Sequence, residues 1–203
     1  MIRVFLIHAF AQPWWTLLPL RWYLRRKGYV CEILPYRWWL PVKKSALEII
    51  HNPLLSSYED GYGDVIFVGI SLGGLVACEV SNIIYGARVI TVCSPLEGSY
   101  LARLGVLLRL HLLVPSIKCL ARPPKSPMPT FTTAYNLFWD FDGIVTPPQF
   151  HGIPHHTLGR GCHFSSIFDP WFPSKLEAIL RLIPHPQTPK HTRVDTDYVA
   201  IDI

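Results

Sequence analysis

The pentapeptide Gly69-Ile70-Ser71-Leu72-Gly73 stands where two periodicities meet. Before it, Val65-Ile66-Phe67-Val68 is an unbroken β-branched and aromatic run, the pattern of a strand buried on both faces. Behind it, residues 72–80 carry the pattern of a helix. A chain that passes from a buried strand into a helix through one serine must turn sharply, and the flanking glycines let the backbone pass without a Cβ clash. Such a turn leaves the Ser71 hydroxyl at the carboxyl edge of a sheet and at the N-terminus of a helix. The dipole and free N–H groups there favour developing negative charge.

The rest of the chain repeats this alternation. Strands are expected at residues 3–8, 29–34, 64–69, 87–93, 130–138 and 153–158. Between the first two lies a helix that reaches Lys27, its main part opened by Pro19 and closed by Gly28. Residues 42–58 read as a helix on the sheet face, with Ala46, Leu47, Ile50 and Leu54 at spacings of three and four. Residues 71–85 form another, closed by Gly86, and 172–183 the last. The class is α/β, with a mostly parallel central sheet and helices on both faces.

Half of the 203 residues are hydrophobic, enough for the core of a single domain, expected to span 1–184. The tail 185–203 loses periodicity and reads as peripheral or disordered. Pro123, Pro124, Pro127 and Pro129 form a proline-rich linker, and no internal repeat is present. The net charge of +5 is scattered, which favours solvated faces over an anionic partner, and no nucleic acid is expected. The cysteines Cys31, Cys78, Cys93, Cys119 and Cys162 are odd in number and show no metal spacing. Reduced thiols are therefore expected, most of them buried as small hydrophobes. The short apolar N-terminus lacks the layout of a secretory signal, so the expected location is cytoplasmic, with peripheral contact at membranes left open.

With these residues in place, the stretch from Arg3 to Ile183 resembles the small lipases and esterases of the α/β-hydrolase superfamily. Leu6-Ile7-His8-Ala9-Phe10 looks like the family's apolar strand followed by His-Gly-x, and Ser94-Pro95-Leu96-Glu97-Gly98-Ser99 is similar to a Ser-Pro-x-x-Gly-Ser stretch of many lipases. Asp142-Gly143-Ile144-Val145-Thr146-Pro147 resembles the acid loop, and Gly161-Cys162-His163 the Gly-x-His that supplies the base. The order serine, aspartate, histidine is the one this fold uses. The resemblance implies Ser71 as nucleophile, His163 as base and Asp142 as acid, with the N–H groups of Phe10 and Leu72 forming an oxyanion hole. It also implies cleavage of a carboxylic ester, the substrate being a small-molecule acyl ester or lipid, and no cofactor or metal.

Alternatives stay open at several positions. Asp140 lies two residues before Asp142, and on an extended segment both would point the same way. His151, His155, His156 and His163 suggest a metal, although neighbouring residues on a strand point to opposite faces. His8 fits a buried residue that orders the loop after the first strand. Ala9 stands where the family has glycine; a positive φ there would cost alanine about 1–2 kcal/mol and displace the oxyanion loop. Residues 104–117 are apolar apart from Arg109 and His111 but too interrupted to span a membrane. They read as a helix packed on the sheet, an interfacial helix, or a lid within 99–129 over an acyl groove. The rival functions are a thioesterase or acyltransferase with the same triad, and a non-catalytic binding protein on the same fold.

Overall fold

Successive side chains on a strand point to opposite faces, so an apolar run without alternation is stable only between two layers of helices. That is the arrangement seen in a computed structural model, which describes residues 2–56, 65–84, 87–122, 134–140, 142–145 and 155–183. Six strands, β1 (Arg3–Ile7), β2 (Val30–Ile33), β3 (Val65–Ile70), β4 (Arg88–Val92), β5 (Ala134–Phe138) and β6 (His155–Thr157), form one parallel sheet in the order β2-β1-β3-β4-β5-β6. The chain steps from β1 outward to β2 and returns to add β3 on the other side of β1. The carboxyl ends of β1 and β3 thus flank a topological switch point, the usual place for a ligand crevice in such sheets.

Each face has its own core. Val4, Leu6, Ile66, Val68, Ile90 and Val92 point to one side, packed with Leu20 and Leu24 of α1 (Leu18–Arg26) and with the last helix, Phe172–Leu182. Phe5, Ile7, Val65, Phe67 and Val89 point to the other, against α2 (Val42–Ile50) and a helix at Leu72–Ile83. Pro19 sits in the first turn of α1 and Gly28 follows its end at φ +91, as the sequence predicts. Cys31 and Cys93 are buried, whereas Cys162 is exposed. Burial pushes the Cys31 thiol up to about 12.

The sequence reading differs from the structure at two helical stretches. The helix expected over 42–58 ends at Ile50, and a separate turn, α3 (Pro53–Ser56), follows. Pro53 has no N–H to continue the ladder, and its ring would meet the carbonyl four residues back. The buried stripe is also rotated: Val42, Ala46 and Ile49 face the sheet, while Leu47 and Leu54 are exposed. Next in order is α4 (Leu72–Ile83), with Ser71 outside it.

The apolar stretch 104–117 is likewise not one helix. It is divided among α5 (Tyr100–Leu107), a 3-10 turn at Leu110–Leu112 and α6 (Ser116–Ala121), with Arg109 in the left-handed region at φ 59. Then come α7 (Ser165–Phe168) and α8 (Phe172–Leu182). No helix among the described residues is long and apolar enough to cross a membrane. Gly86, the proline-rich linker, residues 130–133, 153 and 154, Thr146 and Pro147 of the acid-loop motif, and the tail 185–203 lie outside the described residues.

Candidate active site

At the junction of β3 and α4, Ser71 adopts φ 52 and ψ −118, outside the regions open to ordinary L-residues. Such strain persists only where the surroundings impose it. Here the Ser71 N–H donates to Val92 O at 2.8 Å, extending the β3–β4 ladder through the turn. A Cβ at Gly69 would stand 2.3 Å from Gly73 O, and one at Gly73 2.4 Å from His8 O. Both glycines of the pentapeptide are therefore set by backbone approaching backbone, and the second brings the start of α4 against the end of β1.

Ser71, Asp142 and His163 come together there. His163 Nε2 is 3.0 Å from Ser71 Oγ, and its Nδ1 is 2.9 and 3.0 Å from the two Asp142 carboxylate oxygens. An ionised carboxylate only accepts, so Nδ1 carries the ring proton and, in the neutral ring, Nε2 is free to accept from the serine hydroxyl. All three side chains are buried.

Asp142 is held from several sides. Its Oδ1 accepts from the N–H groups of Ile144 at 3.1 Å and Val145 at 2.8 Å. Burial by itself would raise its pKa; the hydrogen bond and charge of His163, the Val145 N–H and the Cys93 thiol outweigh that and hold the carboxyl below the ordinary range. Asp140 does not share this place. The chain leaves the extended form after β5, Gly143 takes φ +73, and Asp140 is exposed, accepting from the Thr157 hydroxyl. Gly161, two residues before His163, is dictated by packing, since a Cβ there would lie 2.5 Å from the buried indole of Trp139.

The loop after β1 corrects the reading of Ala9. Among the described residues the positive φ in this loop belongs to Ala11, at 52, so alanine at position 9 incurs no left-handed strain. The loop is tied by Gln12, which no motif or spacing in the chain singles out. Its Oε1 accepts from Ala9 N–H at 2.8 Å, and its Nε2 donates to Thr16 Oγ at 2.7 Å. His8 is buried, donates from Nδ1 to Ala9 O at 3.0 Å and stacks on Tyr36, whose hydroxyl donates to His8 O. The Phe10 ring packs edge-on against Trp38, 4.8 Å between centroids. Leu72 is the first residue of α4, so its N–H is one of the donors a helix start leaves without an intrahelical acceptor.

Ser99, quoted above only as part of a motif, has a structural position that its type did not reveal. It pairs with Val145 in an isolated bridge, donates from Oγ to Ile144 O at 3.2 Å, and donates from its N–H to Leu120 O at 2.9 Å. It thereby joins the acid loop to α6. Of the histidines considered for a metal, His163 faces Ser71, His156 stacks on Tyr135, and His151 lies outside the described residues. No cluster of three or more metal-ligating side chains occurs among the described residues.

No family model and no curated protein matches the sequence. The fold does match solved structures. A metagenomic carboxyl esterase superposes with TM-score 0.67 at 17% identity, over 89% of this chain and 75% of its own. The mature lipase BlEst2 of Bacillus licheniformis gives 0.69 at 16%, over 88% and 91%. A thermophilic esterase of Thermogutta terrifontis gives 0.62 at 12%, over 90% of each chain. These likenesses establish the α/β-hydrolase fold, which hosts many chemistries, so the activity rests on the site itself.

Proposed function

We propose that this chain is a serine hydrolase that cleaves a carboxylic ester through an acyl-enzyme, with Ser71 as nucleophile, His163 as base and Asp142 as acid. The observation that carries the reading is the continuous line of hydrogen bonds from the Asp142 carboxylate through both ring nitrogens of His163 to Ser71 Oγ, each between 2.9 and 3.0 Å.

In this mechanism Nε2 takes the hydroxyl proton as Oγ attacks the acyl carbonyl, while Asp142 fixes the tautomer and stabilises the imidazolium that forms. The N–H groups of Leu72 and Phe10 receive the charge on the carbonyl oxygen, each contributing about 3 kcal/mol in the transition state. His163 then returns the proton to the departing alcohol, and water entering by the same route releases the acid. A thioester, or an acceptor alcohol in place of water, would use the same acyl-enzyme. The aromatic loop from Phe10 to Trp15 and the exposed Phe164, whose ring meets that of His163 edge-on, favour an apolar acyl chain, and the chemistry asks for no cofactor.

A fluorophosphonate probe, together with esters of increasing acyl length, tests the proposal. Wild type should be labelled and turn over esters. Ser71→Ala should do neither, with an unchanged circular dichroism spectrum. A folded wild type that takes no label, or a Ser71→Ala variant with near-native turnover, overturns it. Relative rates on thioesters, and with added acceptor alcohol, decide which acyl donor and acceptor the site prefers.

A further inference from the structure

An amphipathic helix on a globular protein normally turns its apolar stripe inward. Helix α5 does the reverse. At about 100° per residue, Tyr100, Leu101, Leu104, Leu107 and Leu108 share roughly one third of the helix circumference, and all five are exposed, Leu107 by 77%. The residues turned inward are small, Ala102 and Gly105, the latter against Ile117 of α6. The 3-10 turn continues the exposed surface with Leu112 at 70% and Leu113 at 81%. Holding so many leucines in water is unfavourable, and contiguous exposed apolar patches of this kind mark interaction sites.

The charges around the patch indicate the partner. Residues 100–122 contain Arg103, Arg109, Lys118 and Arg122 and no aspartate or glutamate, whereas the whole chain has 14 acidic residues. Exposed leucines on a segment whose only charged residues are cations match a surface that is apolar beneath and negative on top, the combination an anionic bilayer presents. A second polypeptide would match the leucines but gives no reason for the one-sided charge. The patch is also joined to the site. Ser116 N–H of α6 donates to Trp39 O at 3.4 Å, and the Trp39 ring contacts Trp38, which contacts Phe10. Trp39 is itself exposed, an aromatic suited to the headgroup level.

We infer that α5, the 3-10 turn and the cations beside them form a docking surface for an anionic lipid membrane. Docking sets the carboxyl edge of the sheet towards the bilayer. The inference does not depend on the hydrolase reading, since Ser71→Ala should bind vesicles as wild type does.

The test is cosedimentation of the full chain with vesicles of phosphatidylcholine alone and of phosphatidylcholine mixed with phosphatidylglycerol. Wild type should bind the mixed vesicles at least tenfold more tightly, and salt should weaken that binding. Arg109→Gln with Lys118→Gln should weaken it roughly 25-fold, at about fivefold per cation. Leu107→Asp with Leu112→Asp, at exposed positions, should lose binding to the mixed vesicles. If that variant melts early, the cation variant alone decides. Folded wild type that binds neither vesicle, or binds both equally and is unaffected by loss of the cations, overturns the inference. So does a wild-type dimer in sedimentation velocity that the leucine variant abolishes, which would assign the face to a second copy.

Discussion

Replacing Asp142 by asparagine probes the site with almost no change in shape. Asparagine Oδ1 can still accept from the Ile144 and Val145 N–H groups, which lie 3.1 and 2.8 Å from the carboxylate. Oδ1 also stays 2.9 Å from His163 Nδ1, but the second oxygen, 3.0 Å from the same nitrogen, becomes an NH2 group that would donate to it. The NH2 group stabilises the tautomer in which His163 accepts at Nδ1 and carries its proton on Nε2, and in that form Nε2 can no longer take the proton of Ser71. The wrong tautomer costs about four decades of kcat in a Ser-His-Asp site, or ~5.4 kcal/mol at about 1.36 kcal/mol per decade. Asp140→Asn should change kcat less than about threefold, because that side chain is exposed and bonded to Thr157 rather than His163. Both variants are assayed on a short p-nitrophenyl ester, with thermal melts beside the kinetics. Asp142→Asn within tenfold of wild type, or a larger loss from Asp140→Asn, would refute the assignment of the acid.

Two more outcomes follow from the structure. Ser99→Ala removes the bond to Ile144 O and should lower stability by about 1 kcal/mol. It should also lower kcat several-fold with little change in KM, because the Val145 N–H that Ser99 braces holds Asp142; recovery in Ser99→Thr is expected, and a lower Tm with unchanged kcat would reduce Ser99 to a structural part. His8 is kept neutral by burial, so its folded pKa lies below the ordinary value of about 6.5. The unfolded chain then binds more protons between the folded value and about 6.5, so stability falls as pH drops through that window. His8→Phe, which keeps a ring on Tyr36, should flatten the decline in Tm between about pH 7 and pH 5, and equal slopes would exclude His8 as its source.

Much of the site could be read from the chain because its constraints are local. A serine with a glycine two positions to each side, after a buried strand and before a helix, must take a sharp turn, and the observed φ of 52 at Ser71 between Gly69 and Gly73 is that constraint realised. The strands were legible for a similar reason: side chains alternate, so an unbroken apolar run implies two covering layers. Gly161 before His163 was readable as a pattern, but its cause, the Trp139 indole, is 22 residues away in sequence and visible only in three dimensions.

Where a reading depended on which neighbour an element meets, sequence was not sufficient. Val42, Ala46 and Ile49 show the same spacings of three and four as Leu47, Ile50 and Leu54, and only the seating of α2 on the sheet buries the first set and leaves Leu47 and Leu54 exposed. Asp140 and Asp142 are equivalent on an extended segment; the turn after β5 separates them and gives one to His163. Ala9 stands where the resembled family has glycine, yet the left-handed residue is Ala11, in a loop that the Gln12 side chain ties back to the Ala9 N–H. Residues 104–117 fitted a helix packed on the sheet, an interfacial helix or a lid equally well by hydropathy, and Leu104 and Leu107 stand in solvent because α5 packs through its small residues against α6. By itself the sequence indicated most of the strands and helices and singled out Ser71, Asp142 and His163, which the structure brings within hydrogen-bond distance of one another; both readings are governed by period, turn chemistry and residue type. The tertiary structure decided the faces and pairings, because burial and hydrogen bonding between distant segments depend on a register that no single stretch of chain contains.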